Sequence, residues 1–241
     1  MELLFMLAGG LGLFLYGMNE MSRGLQQIAG ARLKLILQTL TQNRFVGVLT
    51  GTVATAVLQS SSVMTVMVVS FVNANLMSLA QAISVIIGAN IGTTITAQII
   101  AFNVEEFALP IIAVGAAVAL FSKRDRLKAL GNTVFGFGIL FYGFFLMSSA
   151  FEPFGQDPAF HDFFTRFSDQ PLLGLVIGLL VTIVAQSSSL TIGITIALAH
   201  SGLITFPESL PLTIGINIGS TVTANIAAIP GSYVAKQAAR A

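Results

Sequence analysis

The chain has 241 residues, 55% of them hydrophobic and only 9% charged, with a formal net charge of +1; an ordinary soluble domain carries roughly 25% charged residues. Its mean hydropathy is +0.88, and several uncharged runs exceed the roughly 18 residues that mark a bilayer-spanning candidate, so the composition is that of an integral membrane protein. The absence of cysteine, with only two histidines, argues against thiol chemistry and a dedicated transition-metal site.

The first apolar segment, 3–21, lacks the basic leader region of a cleaved signal peptide and reads as a first span. Next come Arg23, Arg32, Lys34 and Arg44, interleaved with Leu25, Ile28, Leu33, Ile36, Leu37 and Leu40. This spacing predicts an amphipathic helix over about 24–42, lying on the cytoplasmic surface. The run 45–73 has no charged side chain and is too long for a simple crossing. As one helix it would measure about 43 Å, against a hydrocarbon core of about 30 Å. Its middle holds Gln59, Ser60, Ser61 and Ser62, so it reads as a re-entrant hairpin with these residues at the tip.

Segments 79–103 and 107–121 follow as spans, then a basic loop with Lys123, Arg124, Arg126 and Lys128. Beyond the span 131–150 lies an acidic stretch with Glu152, Asp157, Asp162 and Asp169 against Arg166 alone. A second hairpin is expected at 172–200, with Gln186, Ser187, Ser188 and Ser189 at its tip, and a last span at 206–230 before Lys236 and Arg240. The positive-inside rule puts Arg23–Arg44 and Lys123–Lys128 in the cytoplasm, hence the N-terminus and the acidic stretch outside. The parity of this arrangement requires one of the three apolar segments between the basic loops not to cross, which singles out 45–73.

The chain repeats itself. Gln59 and Gln186 are 127 residues apart, as are Gly47 and Gly174, Gly51 and Gly178, and Thr55 and Thr182. The stretch G-A-N-I-G-T-T-I-T-A at 88–97 matches G-I-N-I-G-S-T-V-T-A at 215–224 at the same offset, and L-F-L-Y-G at 13–17 resembles I-L-F-Y-G at 139–143 at offset 126. Three crossings per unit turn the second copy upside down relative to the first. The expected fold is therefore an all-α membrane protein built as an inverted-topology repeat, 1–128 and 129–241. Each unit carries a re-entrant helical hairpin with QSSS and a broken helix with GxNIG[TS]T. The second unit reads as incomplete at its C-terminus.

An interrupted helix at membrane depth must line a cavity, because lipid cannot satisfy the freed backbone groups. The arm after each tip starts with free N–H groups and a partial positive charge, a surface suited to an anion. In the GxNIG[TS]T segments, Asn90, Thr93, Thr94, Asn217, Ser220 and Thr221 offer neutral oxygens suited to a hard cation such as Na+. Close helix packing by paired glycines is the plainer reading of those segments. Segments 45–103 and 172–230 contain no Lys or Arg, and their ionisable groups of interest are Glu208 and His200, both expected near a membrane interface. A phosphate-like dianion bound there needs its charge offset by dipoles and by co-bound cations.

The doubled QSSS, each followed by G-x-N-I-G-[TS]-T, resembles the type II sodium/phosphate cotransporter family over nearly the whole chain. That resemblance implies Na+-coupled import of inorganic phosphate by alternating access in a plasma membrane, the bacterial inner membrane being expected. It implicates Gln59, Ser60, Ser61, Ser62, Gln186, Ser187, Ser188 and Ser189 in phosphate binding, with the glycine-rich segments completing the site. Expected partners are phosphate, Na+ and the bilayer; a homodimer is left open, no nucleic acid is expected, and no cofactor beyond Na+ as coupling ion. The rival readings are a channel with paired re-entrant segments and, more remotely, a membrane enzyme using serine nucleophiles, for which no base lies in the same segment. Ser22, outside both motifs, is expected to tolerate alanine.

Overall fold

The computed structural model describes residues 1–40, 43–102, 104–155 and 170–240. Among these the chain forms ten α-helices: α1 Glu2–Leu40, α2 Arg44–Leu58, α3 Ser61–Asn73, α4 Leu79–Ala101, α5 Ala108–Phe121, α6 Asp125–Gly155, α7 Pro171–Ala185, α8 Ser188–His200, α9 Phe206–Ala228 and α10 Tyr233–Arg240. Among the described residues three stretches are long and apolar enough to cross a membrane: Glu2–Ala29, Leu79–Ala101 and Asp125–Phe154. Asp157, Asp162, Arg166 and Asp169 of the acidic stretch lie outside the described residues.

Two expectations about elements change. The helix foreseen over about 24–42 is not separate: α1 continues unbroken to Leu40, with no proline in the stretch and with Gly24 and Gly30 carried inside the helix by the good helix formers around them. The segment 107–121 yields only the 14 residues of α5, about 21 Å long, since Glu105–Phe107 form a 3-10 turn first.

α1 and α6 make the first layer. They run antiparallel in close contact, with Gly10 against Gly143 and Met147, Gly17 against Gly136 and Leu140, and Gly24 against Ala129 and Thr133. Glycine lets the two backbones meet where any side chain would hold them apart. These contacts are reciprocal: Gly10 matches Gly136, and Gly17 matches Gly143, at the sequence offset of 126. α5 packs on the outer side of α6, with Gly115 against Phe135 and Gly131 against Ala119.

The second layer holds both hairpins and the two long helices that follow them. α2 packs on α4 through Gly51 and Gly88, and α7 packs on α9 through Gly178 and Gly215. Ser78 with Gln81 starts α4 in a capping box, and Thr205 with Glu208 starts α9 in the same way. Glu208 is thus a cap at a helix start. One apolar core lies among α2, α3, α4, α9 and α10, around Met64, Val68, Val85 and Ala235. The other joins the layers, with Phe14, Phe141 and Phe144 against Leu190 and Ala197 of α8.

Candidate functional site

Both QSSS stretches break their helices, as the sequence predicts. α2 ends on Gln59, which sits in the left-handed region at φ 55°, ψ 25°; α7 ends on Gln186 at φ 51°, ψ 24°. A non-glycine residue held there costs roughly 1–3 kcal/mol, and such strain concentrates at functional sites. Ser60 and Ser187 then serve as N-caps, their hydroxyls accepting from the Val63 and Leu190 N–H groups. The carbonyls of Ser60 and Ser187 take the next N–H groups, of Met64 and Thr191. That leaves the N–H groups of Ser61 and Ser62, and of Ser188 and Ser189, as the open start of each arm. Among the described residues the four hydroxyls of these serines also make no hydrogen bond, although Ser61, Ser188 and Ser189 are buried.

The expected break at GxNIG[TS]T does not occur. α4 and α9 pass through Gly88–Thr94 and Gly215–Thr221 as continuous helix. The glycines are there for packing: a Cβ on Gly88 would stand 2.0 Å from the Val48 carbonyl oxygen, and one on Gly215 would stand 2.0 Å from that of Leu175. Backbone carbonyls in these segments stay within their helices, so only side chains can supply oxygens. Thr93, Thr94, Ser220 and Thr221 each donate to a carbonyl one turn back, at 2.7–3.2 Å, which leaves the hydroxyl lone pairs available.

Asn90, Thr93, Thr94 and Asn217 converge on one cavity of about 640 Å3, walled by the C-terminal half of α4, the N-terminal half of α9, and α8. Ser220 and Thr221 do not line it, nor do the QSSS residues; Ile192, one turn beyond Ser188, is the nearest lining position to a tip. Four further polar residues do line it: Gln98, Thr195, Ser209 and Thr213. At offset 127 the last three correspond to Val68, Ala82 and Ile86, which are buried in the core beside α10. The hydroxyl-for-aliphatic difference between copies was a signal in the sequence for which of the two faces would open on a cavity.

The two tips are held differently. The Gln59 carboxamide oxygen accepts from Thr96 Oγ1 at 2.9 Å, and Gln59 is buried, whereas Gln186 is exposed. At the first tip the Leu58 carbonyl, left over by the end of α2, accepts from Ser22 Oγ at 2.8 Å and from Gln26 Nε2 at 3.3 Å. Ser22 is therefore not a neutral position. A hydroxyl on the first long helix is tied to the backbone of the tip, a contact between residues far apart in sequence.

Beside the end of α8 lies a second cavity, of about 440 Å3, lined by Glu105, Ser148, Ser149, Glu152, His200 and Ser201 among others. Burial pushes the Glu105 carboxyl above its ordinary value of 4.5, and the charge of His200 partly opposes this. With a raised value in the folded state, the folded chain binds this proton more tightly than the unfolded chain. Stability from Glu105 is thus greatest at low pH and falls as pH rises through the window above 4.5. Glu105→Gln should flatten that part of the pH profile and raise stability at neutral pH; circular-dichroism melts of both proteins across the window check it.

The family model described as Na+/Pi-cotransporter matches residues 13–149 and again 140–238. The chain belongs to the Na+/Pi-cotransporter family. The family is one of transporters, not enzymes. Among its relatives is "Uncharacterized protein YqeW" of Bacillus subtilis, 32% identical over 95% of this chain and 74% of that protein. "Putative inorganic phosphate export protein YjbB" of Escherichia coli is 30% identical over 90% of this chain but only 40% of its own length. Human "Sodium-dependent phosphate transport protein 2B" is 36% identical over 42% of this chain and 15% of that protein. No solved structure matches.

For a Na+/Pi-cotransporter family member, the sequence motifs located the tips and one face of α4 and α9. They did not reveal Ser22 or Gln26, which act on the tip from another helix, because isolated hydroxyls and amides on a long apolar helix carry no local pattern; Thr96 lies within the repeated stretch 88–97, but its partner Gln59 is not legible there.

Proposed function

We propose that the chain is a secondary active transporter that imports inorganic phosphate coupled to Na+ by alternating access. The observation that carries this reading is the pair of uncharged helix interruptions. Each offers two free backbone N–H groups and two free hydroxyls, with no Lys or Arg from Phe45 to Ala101 or from Leu172 to Ile229. Four neutral donors and a helix N-terminus can hold a phosphate oxygen cluster, but they cannot neutralise a dianion in a site of low dielectric. Co-bound cations have to supply the remaining charge, which couples the two species by electrostatics. Asn90, Thr93, Thr94 and Asn217, on the cavity between α4, α8 and α9, are the ligands we assign to Na+, with Ser220 and Thr221 as their partners in the second copy. Gln59, Ser60, Ser61, Ser62 and Gln186, Ser187, Ser188, Ser189 are assigned to phosphate.

Alternating access rests on an inverted-topology repeat. Its support is the antiparallel, reciprocal packing of α1 with α6 and the way the cavity sets the C-terminal half of α4 against the N-terminal half of α9. With the basic connections cytoplasmic, this cavity faces outward. The name of the Escherichia coli relative, "Putative inorganic phosphate export protein YjbB", favours export as a second reading; a coupled carrier runs in whichever direction the combined gradients dictate.

Purified protein in liposomes should take up radiolabelled phosphate when Na+ is higher outside, and should do so saturably. Uptake that persists unchanged when Na+ is replaced by choline would remove the coupling. Efflux without uptake under imposed gradients of either sign would replace import by export.

A further inference from the structure

The asymmetry of the two tips has two sources that can be separated. Where the copies differ in residue type, as at Val68 and Thr195, a difference in surroundings is compositional. Where the same residue stands in the same register and has a partner in one copy but none in the other, the difference is one of conformation. Ser22 and Ser148 are such a pair. The reciprocal glycine contacts of α1 and α6 set the register at 126, and that register pairs Ser22 with Ser148. Ser22 Oγ holds the Leu58 carbonyl of the first tip. Ser148 Oγ is buried, at 5% exposure, and has no hydrogen-bond partner.

A buried hydroxyl left unpaired costs about 1–3 kcal/mol, so its retention asks for a partner in another state. The chemistry of that partner follows from the repeat. The counterpart of Leu58 is Ala185, the last residue of α7 and the one before exposed Gln186. Ala185 ends its helix as Leu58 does, with a carbonyl beyond the last turn's backbone bonds. Ser148 instead faces the cavity at the far end of α8, beside His200 and Ser201, and the Phe144 ring lies 6.1 Å from His200. α8 runs from His200 back to Ser188 along the α1–α6 layer, with Gly193 on Phe14. The second tip is therefore about one arm's length from Ser148, about 18 Å at 1.5 Å per residue.

We propose that Ser148 is the second of two latches: it donates to the Ala185 carbonyl in the opposite transport state, when the hairpin layer has moved along α1 and α6 and the Ser22–Leu58 bond has opened. This rests on the alternating-access reading and gives it two positioning residues, neither of which touches the cargo. The moving unit is α2, α3, α4, α7, α8 and α9; the fixed unit is the glycine-bound α1–α6 pair with α5. Exchange of the Ser22 hydroxyl–carbonyl bond for a Ser148 bond of the same kind offsets most of the difference between the end states, the Gln26 amide bond to Leu58 having no like donor at its counterpart Glu152.

The chain has no native cysteine, so cysteine pairs report cleanly. Ser22→Cys with Leu58→Cys should cross-link readily in membranes under mild oxidation. Ser148→Cys with Ala185→Cys should also cross-link, more slowly, and faster under conditions that drive turnover. Each disulfide should stop phosphate uptake, and reductant should restore it. Failure of the second pair to cross-link, in protein that melts like the parent, overturns the proposal. If both pairs cross-link but the reduced protein moves no phosphate, the two stations stand and the assigned cargo falls. As an arm independent of cysteine, Ser148→Ala should lower the maximal transport rate about five-fold, with unchanged half-saturation and a melting temperature that holds or rises, since its buried hydroxyl has no partner in the state observed. An unaltered maximal rate also overturns the proposal.

Discussion

Gly88→Ala should destabilise the protein severely, and Gly88→Leu should leave no folded protein to purify. The new Cβ would lie 2.0 Å from the Val48 carbonyl oxygen and 2.9 Å from the Thr52 nitrogen. Both are backbone atoms of a helix, so no side chain can swing aside. The same pair of helices is pinned a turn away by Gly51, whose Cβ would meet the Val85 carbonyl oxygen at 2.2 Å. Relief requires α2 and α4 to part along their contact, which loses the packing that holds the first tip in place. Overpacking a core ordinarily costs about 1–3 kcal/mol, and a clash with main chain on a tight helix pair belongs above that range. Gly215→Ala should behave alike, given 2.0 Å to the Leu175 carbonyl oxygen. Gly12→Ala is the control: its Cβ would meet nothing within 4 Å, and alanine in a helix interior is favoured over glycine by about 1 kcal/mol. Melting by circular dichroism in detergent should therefore shift down for the first two and hold or rise for the third.

Ser61→Ala and Ser188→Ala should each raise the half-saturation for phosphate by ten-fold or more while leaving the fold intact. A hydrogen bond to a charged partner contributes about 1.5–3 kcal/mol, equivalent to one to two decades of affinity. The fold should not notice, because neither hydroxyl bonds within the protein among the described residues. The neighbouring caps separate the two effects. Ser60→Ala and Ser187→Ala remove the acceptor for the Val63 and Leu190 N–H groups, so they should lower stability by about 1 kcal/mol as well as weaken transport. Radiolabelled uptake alongside melting curves distinguishes them. Wild-type phosphate kinetics in both Ser61→Ala and Ser188→Ala would remove the anion-binding role from the tips.

Much of this was legible without coordinates because it is local. Uncharged length shows a membrane chain, a glutamine and serines inside that length show an interruption, and two copies at one offset show a duplication. Gln59 and Gln186 adopt nearly the same backbone angles because the same four residues meet the same problem of ending one helix and starting another. The GxNIG[TS]T segments mislead for an equally local reason. Paired glycines permit both a break and a close approach, and only the distance to a neighbouring helix tells which is used. α4 and α9 remain whole because α2 and α7 lie directly against those glycines.

The sequence by itself determined the membrane class, the two tips, the duplication and the family. Only the tertiary structure decided which residues wall the cavity, that Ser22 grips the first tip, and that Ser148 grips nothing. The division has one physical cause. Helix ends, caps and hydrophobic length depend on neighbours within a turn or two along the chain. The partner of a single hydroxyl on a long apolar helix depends on how far one layer has slid along another, and no nearby residue encodes that distance.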